Sequence, residues 1–139
     1  TRRDREGAGA AGGLAFGLAT LLGAELRPGA DCVMDETNFN SELASADILI
    51  TGEGSLDEQS LHGKTPVAAA RRARDHDVRY VLGVAGQLAD GRGEFHPLFD
   101  LLFSAVTRPM DPEQALEQSP RQVREAAREV GCLLNLIDR

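Results

Sequence analysis

The chain has 139 residues, of which 42% are hydrophobic and 27% charged, and its formal net charge is −7. This length suits one domain with a substantial core rather than two complete domains. The negative charge argues against nucleic acid as the main partner, because phosphate backbones are bound by basic surfaces. No apolar run approaches the ~20 residues that a membrane span needs, so we expect no membrane partner.

The two cysteines, Cys32 and Cys132, lie a hundred residues apart and show no metal-binding spacing. Both are therefore interpreted as small buried hydrophobic residues in a reducing compartment, which predicts a cytoplasmic location. Because the chain begins at Thr1 and not at methionine, we expect it to be a piece of a longer protein.

Glycines dominate the amino-terminal region. Gly7, Gly9 and Gly12 satisfy the spacing GxGxxG of dinucleotide-binding loops, but the charged segment in front of them does not resemble the required strand. The alternative is that these glycines permit close backbone packing at the start of a helix. The leucine spacing predicts that this helix runs from about Ala10 to Leu22. A second short helix is expected between residues 30 and 39.

A strand–helix–strand unit follows. Ile48 to Thr51 predicts a strand that enters a polar loop, and Thr65 with Pro66 provides a helix cap and a first helical residue. The helix is expected to bury Val67, Ala70 and Ala73 and to leave its arginines in solvent. Residues 78–83 predict a second, parallel strand, which makes the fold class α/β with helices flanking a parallel sheet.

The remaining residues predict one more strand and two helices. The segment 101–106 is rich in strand-forming residues, and Asp111–Pro112 and Ser119–Pro120 both match the pattern of a helix start. The last helix is expected to face the core with apolar residues at helical spacing, among them Val123, Ala126 and Val130.

The loop between the first predicted strand and its helix contains the main chemical candidates. Lys64, the only lysine of the chain, precedes the helix start, where an ammonium group and free backbone N–H groups can bind phosphate. Glu53 and Asp57 are candidate metal ligands or acid–base groups. A phosphate bound beside these carboxylates requires a bridging cation such as Mg²⁺. Alternatively, Asp57 caps the loop and Lys64 forms an ion pair with it. Because Glu58 replaces the first glycine of GxxxxGK[ST], the loop is not a P-loop.

The segment TGEGSLDEQSLHGKTP, preceded by ADILI, resembles the signature of bacterial glycerate kinases. That signature reads TGEG, two residues, D, one residue, QS, two residues, GK, one residue, P. The upstream GAGAAGGLAFGLATLLGAEL and the downstream VLGVAG fit the same family in order and spacing. Ser55 and Gln87 depart from its common residues.

The resemblance implies a two-domain enzyme with a Rossmann-like sheet that transfers a phosphoryl group from ATP to D-glycerate with the help of Mg²⁺. Residues 1–44 would form the end of the second α/β domain and residues 45–139 the carboxyl-terminal part of the Rossmann-like domain. The expected catalytic residues are Asp57 and Lys64, and the expected metal ligands are Glu53 and Asp57. The residues expected to bind the nucleotide are Gly52, Gly54, Gln59, Ser60, Gly63 and Thr65.

Two other interpretations stay open from the sequence. One is a non-catalytic α/β module that binds a small anion or mediates assembly. The other is a nicotinamide-dependent oxidoreductase, which depends on GAGAAG alone. A homodimer is a candidate assembly of the glycerate kinase itself.

Overall fold

The protein is described by a computed structural model that covers residues 7–88 and 92–137. In chain order its regular elements are α1 (Ala10–Leu21), α2 (Gly29–Glu36), α3 (Phe39–Leu43), β1 (Ile48–Leu56), α4 (Thr65–Asp75), β2 (Tyr80–Leu88), β3 (Leu101–Ser104) and α5 (Pro112–Ile137). Two short 3-10 helices, Glu58–His62 and Arg92–Phe95, lie in the connections.

The three strands form one parallel sheet in the order β1-β2-β3. In the β1–β2 pair, Ile50 lies opposite Leu82 and Glu53 opposite Ala85. Helix α4 provides the crossover between these strands, as a parallel pair requires. The predicted α/β fold with a Rossmann-like parallel sheet flanked by helices is therefore confirmed.

The core lies between the sheet and α4. Val67, Ala70 and Ala73 of α4 are fully buried, as their helical spacing predicts. They belong to a cluster completed by Leu43, Leu56, Val78, Val81, Ala85, Phe95 and Phe99. Each fully buried Val, Leu or Phe side chain contributes roughly 1.5–3 kcal/mol relative to an exposed one, so this face of the sheet stabilises the fold.

Both long strands continue beyond their predicted ends. β1 extends through Leu56 rather than ending at Thr51, so the first part of the predicted polar loop is extended backbone paired with β2. β2 reaches Leu88, while β3 ends at Ser104, two residues earlier than expected. The glycines in TGEG and VAG weaken a local strand signal, but parallel pairing between the two segments overrides it.

Helix α1 differs from the regular helix that its leucines predict. Ala11, Gly12 and Gly13 have positive φ angles of 51°, 66° and 91°, so the backbone bends at its start. Its leucines are largely exposed, with Leu21 at 82%. The predicted apolar face is therefore not covered by any part of the chain that the structure describes.

Helix α5 is one continuous helix, so the prediction of two separate helices is wrong. Pro120 lies inside it rather than at the start of a second helix. Ala126 and Val130 are buried as predicted, but Val123 is 52% exposed. The buried stripe instead begins at Gln122, four residues before Ala126.

The expectation that the arginines of α4 lie in solvent is wrong for Arg72. Its guanidinium group donates to Asp31 Oδ1 at 3.1 Å and also to Asp35 and Asn40, which ties α4 to α2 and α3. Asp35 in addition pairs with Arg27. The hydrogen bonds from Arg72 and Arg27 lower the pKa of Asp35 below its ordinary value.

Across residues 7–88 and 92–137, no helix combines the length and the apolar character that crossing a membrane requires.

Candidate functional site

The residues after β1 form a tightly hydrogen-bonded turn. Asp57 caps the 3-10 helix by accepting the backbone N–H of Ser60 at 2.9 Å, and the Ser60 hydroxyl accepts the backbone N–H of Asp57 at 3.0 Å. Ser60 is completely buried. This reciprocal capping box satisfies the free donors of the turn and fixes the position of the Asp57 carboxylate.

Lys64 lies beside this turn, at the residue before α4. Its Nζ is 3.4 Å from both Oδ1 of Asp57 and the backbone oxygen of Ser55. Both charged side chains keep 36% of their surface exposed, so a ligand can reach them. The alternative in which Lys64 pairs with Asp57 is thus realised in this structure, and the pair places an ammonium group next to the N-terminus of α4.

The Asp57 carboxylate is held in its ionised form. The Ser60 hydroxyl, which donates to Oδ1 at 2.8 Å, is the main cause that lowers the pKa of Asp57. Burial opposes this shift, while Lys64 and the Ser60 backbone N–H reinforce it. An ionised carboxylate suits metal binding or charge balance better than the storage of a proton near neutral pH.

The end of the turn depends on Gly63 and Arg71. Gly63 has a φ angle of 112° and ends the 3-10 helix, a conformation that side chains other than glycine rarely adopt. Arg71 of α4 donates to the backbone oxygen of Leu61 at 2.9 Å. The cap of α4 is Lys64 rather than the predicted Thr65, which is the first helical residue.

The glycines of β1 serve the packing of the sheet. A Cβ atom on Gly52 would lie 2.2 Å from the backbone oxygen of Val84, and one on Gly86 would lie 2.7 Å from the backbone oxygen of Gly54. The close approach of β1 to β2 therefore excludes side chains at these positions. A Cβ atom on Gly54 would meet nothing within 4 Å, so this glycine leaves open space.

A cavity of about 1050 Å³ lies between the sheet and α5. Its walls combine the strand segments 50–54 and 84–88 with residues after β3 and with α5. Most lining residues are apolar, and the two charged ones are Glu53 and Arg108. Because the cavity includes the carboxyl-terminal parts of parallel strands, it has the position where ligands bind in open α/β sheets.

The structure divides the predicted site residues into two groups. Gly52, Glu53 and Gly54 line the cavity, and the second group belongs to the turn and the start of α4. The second group consists of Asp57, Ser60, Gly63, Lys64 and Thr65. The side chain of Gln59 lies outside the described residues. No group of three potential metal-binding His, Cys, Asp or Glu side chains occurs within the described ranges.

Arg108 and Gln122 are among the polar residues of the cavity that sequence reasoning missed. Arg108 follows β3 in a segment that has no helical or strand pattern, so nothing local indicates its position. Gln122 had a detectable signal, because it lies four and eight residues before the apolar positions Ala126 and Val130. Gln87, which departs from the common family residue, also lines the cavity.

Comparisons with known proteins identify the family of this chain. The model of the glycerate kinase family matches residues 1–135. Glycerate kinase of Bacillus subtilis (strain 168) is 41% identical over 98% of this chain and 36% of its own length. Glycerate 2-kinase of Escherichia coli (strain K12) is 35% identical over 95% of this chain and 35% of its own length.

Among solved structures, the crystal structure of putative glycerate kinase 2 from Salmonella typhimurium LT2 matches with a TM-score of 0.72 and 36% sequence identity. The match covers 97% of this chain and 34% of that chain. The chain thus spans about a third of the length of the relatives it matches. Because the family model and these relatives cover nearly all of its residues, the chain belongs to the glycerate kinase family.

Proposed function

We propose that the natural protein containing this chain transfers the γ-phosphoryl group of ATP to a hydroxyl group of D-glycerate. The observation that carries this proposal is the Lys64–Asp57 pair at the N-terminus of α4, inside the signature segment of a chain that belongs to the glycerate kinase family. Phosphoryl transfer depends mainly on positioning and on the neutralisation of phosphate charge. A lysine at a helix N-terminus supplies the charge, and a rigid capped turn supplies the positioning.

Each residue of the turn has a distinct role in this proposal. Lys64 neutralises phosphate oxygens, and its contacts with Asp57 and Ser55 hold its ammonium group in place before substrate arrives. Ser60 fixes the Asp57 carboxylate. Thr65 presents its backbone N–H group at the start of α4 to the nucleotide. Gly63, whose own N–H donates to the backbone oxygen of Ser60, is proposed to allow close backbone approach of the nucleotide. Gly52, Gly54 and Gln59 are proposed as further nucleotide contacts.

We further propose that carboxylates of this region hold a Mg²⁺ ion of the type that binds nucleotides. Mg²⁺ in kinases takes one or two protein carboxylates and completes its shell with water and phosphate oxygens. Oδ1 of Asp57 already accepts hydrogen bonds from Ser60 and Lys64, which leaves Oδ2 for a metal. Glu53, which lines the cavity, is proposed as a second carboxylate. The bound ion supplies charge neutralisation of the transferred phosphoryl group.

We also propose the domain division that the resemblance to glycerate kinases implies. We assign residues 1–44 to the end of a second α/β domain and residues 45–139 to the Rossmann-like domain, so that glycerate and ATP meet in a cleft between them. Since this chain spans about a third of its relatives, the isolated 139-residue piece is expected to lack turnover. Measuring glycerate-dependent ADP release by the isolated piece and by the natural protein tests this assignment.

The central test is a coupled kinase assay of the natural protein with Lys64→Ala. Loss of a preorganised charge contact to the reacting group is expected to lower kcat by about 10²-fold. Lys64→Arg, which keeps the positive charge, is expected to retain more activity than Lys64→Ala. Arg124→Ala, a change of an exposed arginine on α5, serves as the control and is expected to leave turnover unchanged. Unchanged turnover in Lys64→Ala would remove Lys64 from the mechanism.

A further inference from the structure

The cavity beside α5 contains a buried amide group that the proposed roles of the turn do not use. Gln122 is only 7% exposed and lines the cavity. Its Nε2 donates to the sulfur of Met110 at 3.0 Å, which is its only hydrogen bond to the described part of the chain. A thioether is a weak acceptor. The carbonyl oxygen and the second N–H of the amide therefore have hydrogen-bonding capacity left for a ligand.

A side-chain amide is a donor and an acceptor placed side by side. This arrangement complements the edge of adenine, where the 6-amino group donates and the neighbouring ring nitrogen accepts. A buried amide discriminates strongly, because a ligand without the matching groups leaves it unsatisfied in an apolar wall. Gln122 on the cavity wall thus has the chemistry of a residue that selects a base.

The cavity also suits a base in size and in the character of its walls. Its volume of about 1050 Å³ is large enough for a nucleotide. The residues that line it include no aromatic side chain, so the faces of a base would contact aliphatic groups. Those groups are supplied by both the sheet and α5, and include Ile50, Val84, Leu116, Val123 and Ala127.

Charge adds a second argument for a nucleotide. Arg108 is the only basic residue lining the cavity, and it forms no ion pair with a carboxylate in the described ranges. It lies two residues before Met110, the partner of Gln122. A guanidinium group binds phosphate through paired N–H donors. The same cavity therefore offers an amide for a base and a cation for a phosphate.

We propose that this cavity binds the adenine nucleotide, with Gln122 contacting the edge of the base and Arg108 contacting phosphate oxygens. This inference depends on the proposed function, since the nucleotide is the phosphoryl donor of that reaction and the cavity residues would add contacts to those of the turn. It makes Gln122 the specificity-determining residue for the base.

The test is equilibrium binding to the natural protein of ATP and of purine riboside triphosphate, which lacks the 6-amino group. The unmodified protein is expected to bind ATP about tenfold more tightly, the difference of one or two hydrogen bonds to a buried partner. Gln122→Leu is expected to weaken ATP binding by about tenfold and to bring the ratio of the two affinities close to one. Gln114→Leu changes the same residue type at an exposed position of α5 outside the cavity, and should preserve the ratio.

Ala127→Phe is a second variant that places a ring into the cavity from an exposed position on α5. It is expected to weaken both nucleotides without abolishing folding, which the thermal unfolding midpoint checks. Unchanged ATP binding in both Gln122→Leu and Ala127→Phe would overturn the inference and leave glycerate phosphorylation standing. Base-selective binding without any glycerate-dependent phosphorylation would instead overturn the proposed function and keep the inference. Absence of ATP binding by the unmodified protein would overturn both.

Discussion

The hydroxyl of Ser60 donates to Oδ1 of Asp57 at 2.8 Å, and its oxygen accepts the backbone N–H of the same residue at 3.0 Å. Ser60→Ala removes both contacts and leaves the backbone N–H of Asp57 without its side-chain partner. We expect the free energy of unfolding to fall by about 1 kcal/mol, the usual effect of losing a cap. Urea unfolding measures this change in the free energy of unfolding. Ser45→Ala, which removes an exposed hydroxyl bonded only to the backbone oxygen of Glu42, should have a smaller effect.

Stability should depend on the ionisation of Asp57. Because the folded state lowers the pKa of this carboxyl, its stabilising contribution is present above the unfolded pKa and disappears as the pH falls through the folded pKa. Asp57→Asn should therefore lower the thermal unfolding midpoint at neutral pH and approach the unmodified protein in acid. The effect of Asp57→Asn on the midpoint should be smaller when Ser60→Ala is also present, since the Ser60 hydroxyl is the main cause of the lowered pKa of Asp57. A difference that grows toward low pH would contradict this account.

The glycines of β1 should differ in their tolerance to substitution. Gly52→Ala places a Cβ atom 2.2 Å from the backbone oxygen of Val84, so β1 and β2 must separate. A loss of about 1–3 kcal/mol or more is expected in denaturant unfolding. Gly54→Ala has no atom within 4 Å of the new Cβ and should fold with nearly unchanged stability. Equal effects of the two changes would show that the strands are not this close.

Arg72 should control whether α2 stays on α4. Its guanidinium group contacts Asp31, Asp35 and Asn40, while its side chain remains only 17% exposed. Arg72→Met removes these contacts, so amide hydrogen exchange in residues 29–43 should accelerate while the β1–β2 amides keep their protection. Arg72→Lys should not restore the protection, because one ammonium group cannot reproduce the fork of the guanidinium. Arg121→Met, which breaks an exposed pair with Glu125, should leave exchange in residues 29–43 unchanged.

Local sequence signals were sufficient to predict the strand–helix–strand unit of β1, α4 and β2. The period of Val67, Ala70 and Ala73 indicates which side of α4 meets the sheet, and the structure buries all three. The proline at the first turn located the start of the helix to within one residue. These signals act over a few residues, so neighbours in the chain determine them.

Signals that depend on distant partners were misleading. Glycine is unfavourable in an isolated strand, yet Gly52 and Gly54 lie in β1 because residues 84–88 pair with that segment. Pro120 lies inside α5, although an interior proline costs about 3 kcal/mol. Arg72 lies on the polar side of α4 by sequence, and only the position of α2 makes it an interhelical contact.

The position of β1 in the sheet has a consequence for handling this protein. With the strand order β1-β2-β3, β1 has a paired neighbour on one side only within the described residues. An unpaired strand edge can take up another extended chain, and it is a common starting point for aggregation. Within the described part of this piece, the β1 residues of the glycerate kinase signature can therefore pair with another extended chain. Concentrated samples of the 139-residue piece should therefore associate through the outer strands β1 and β3.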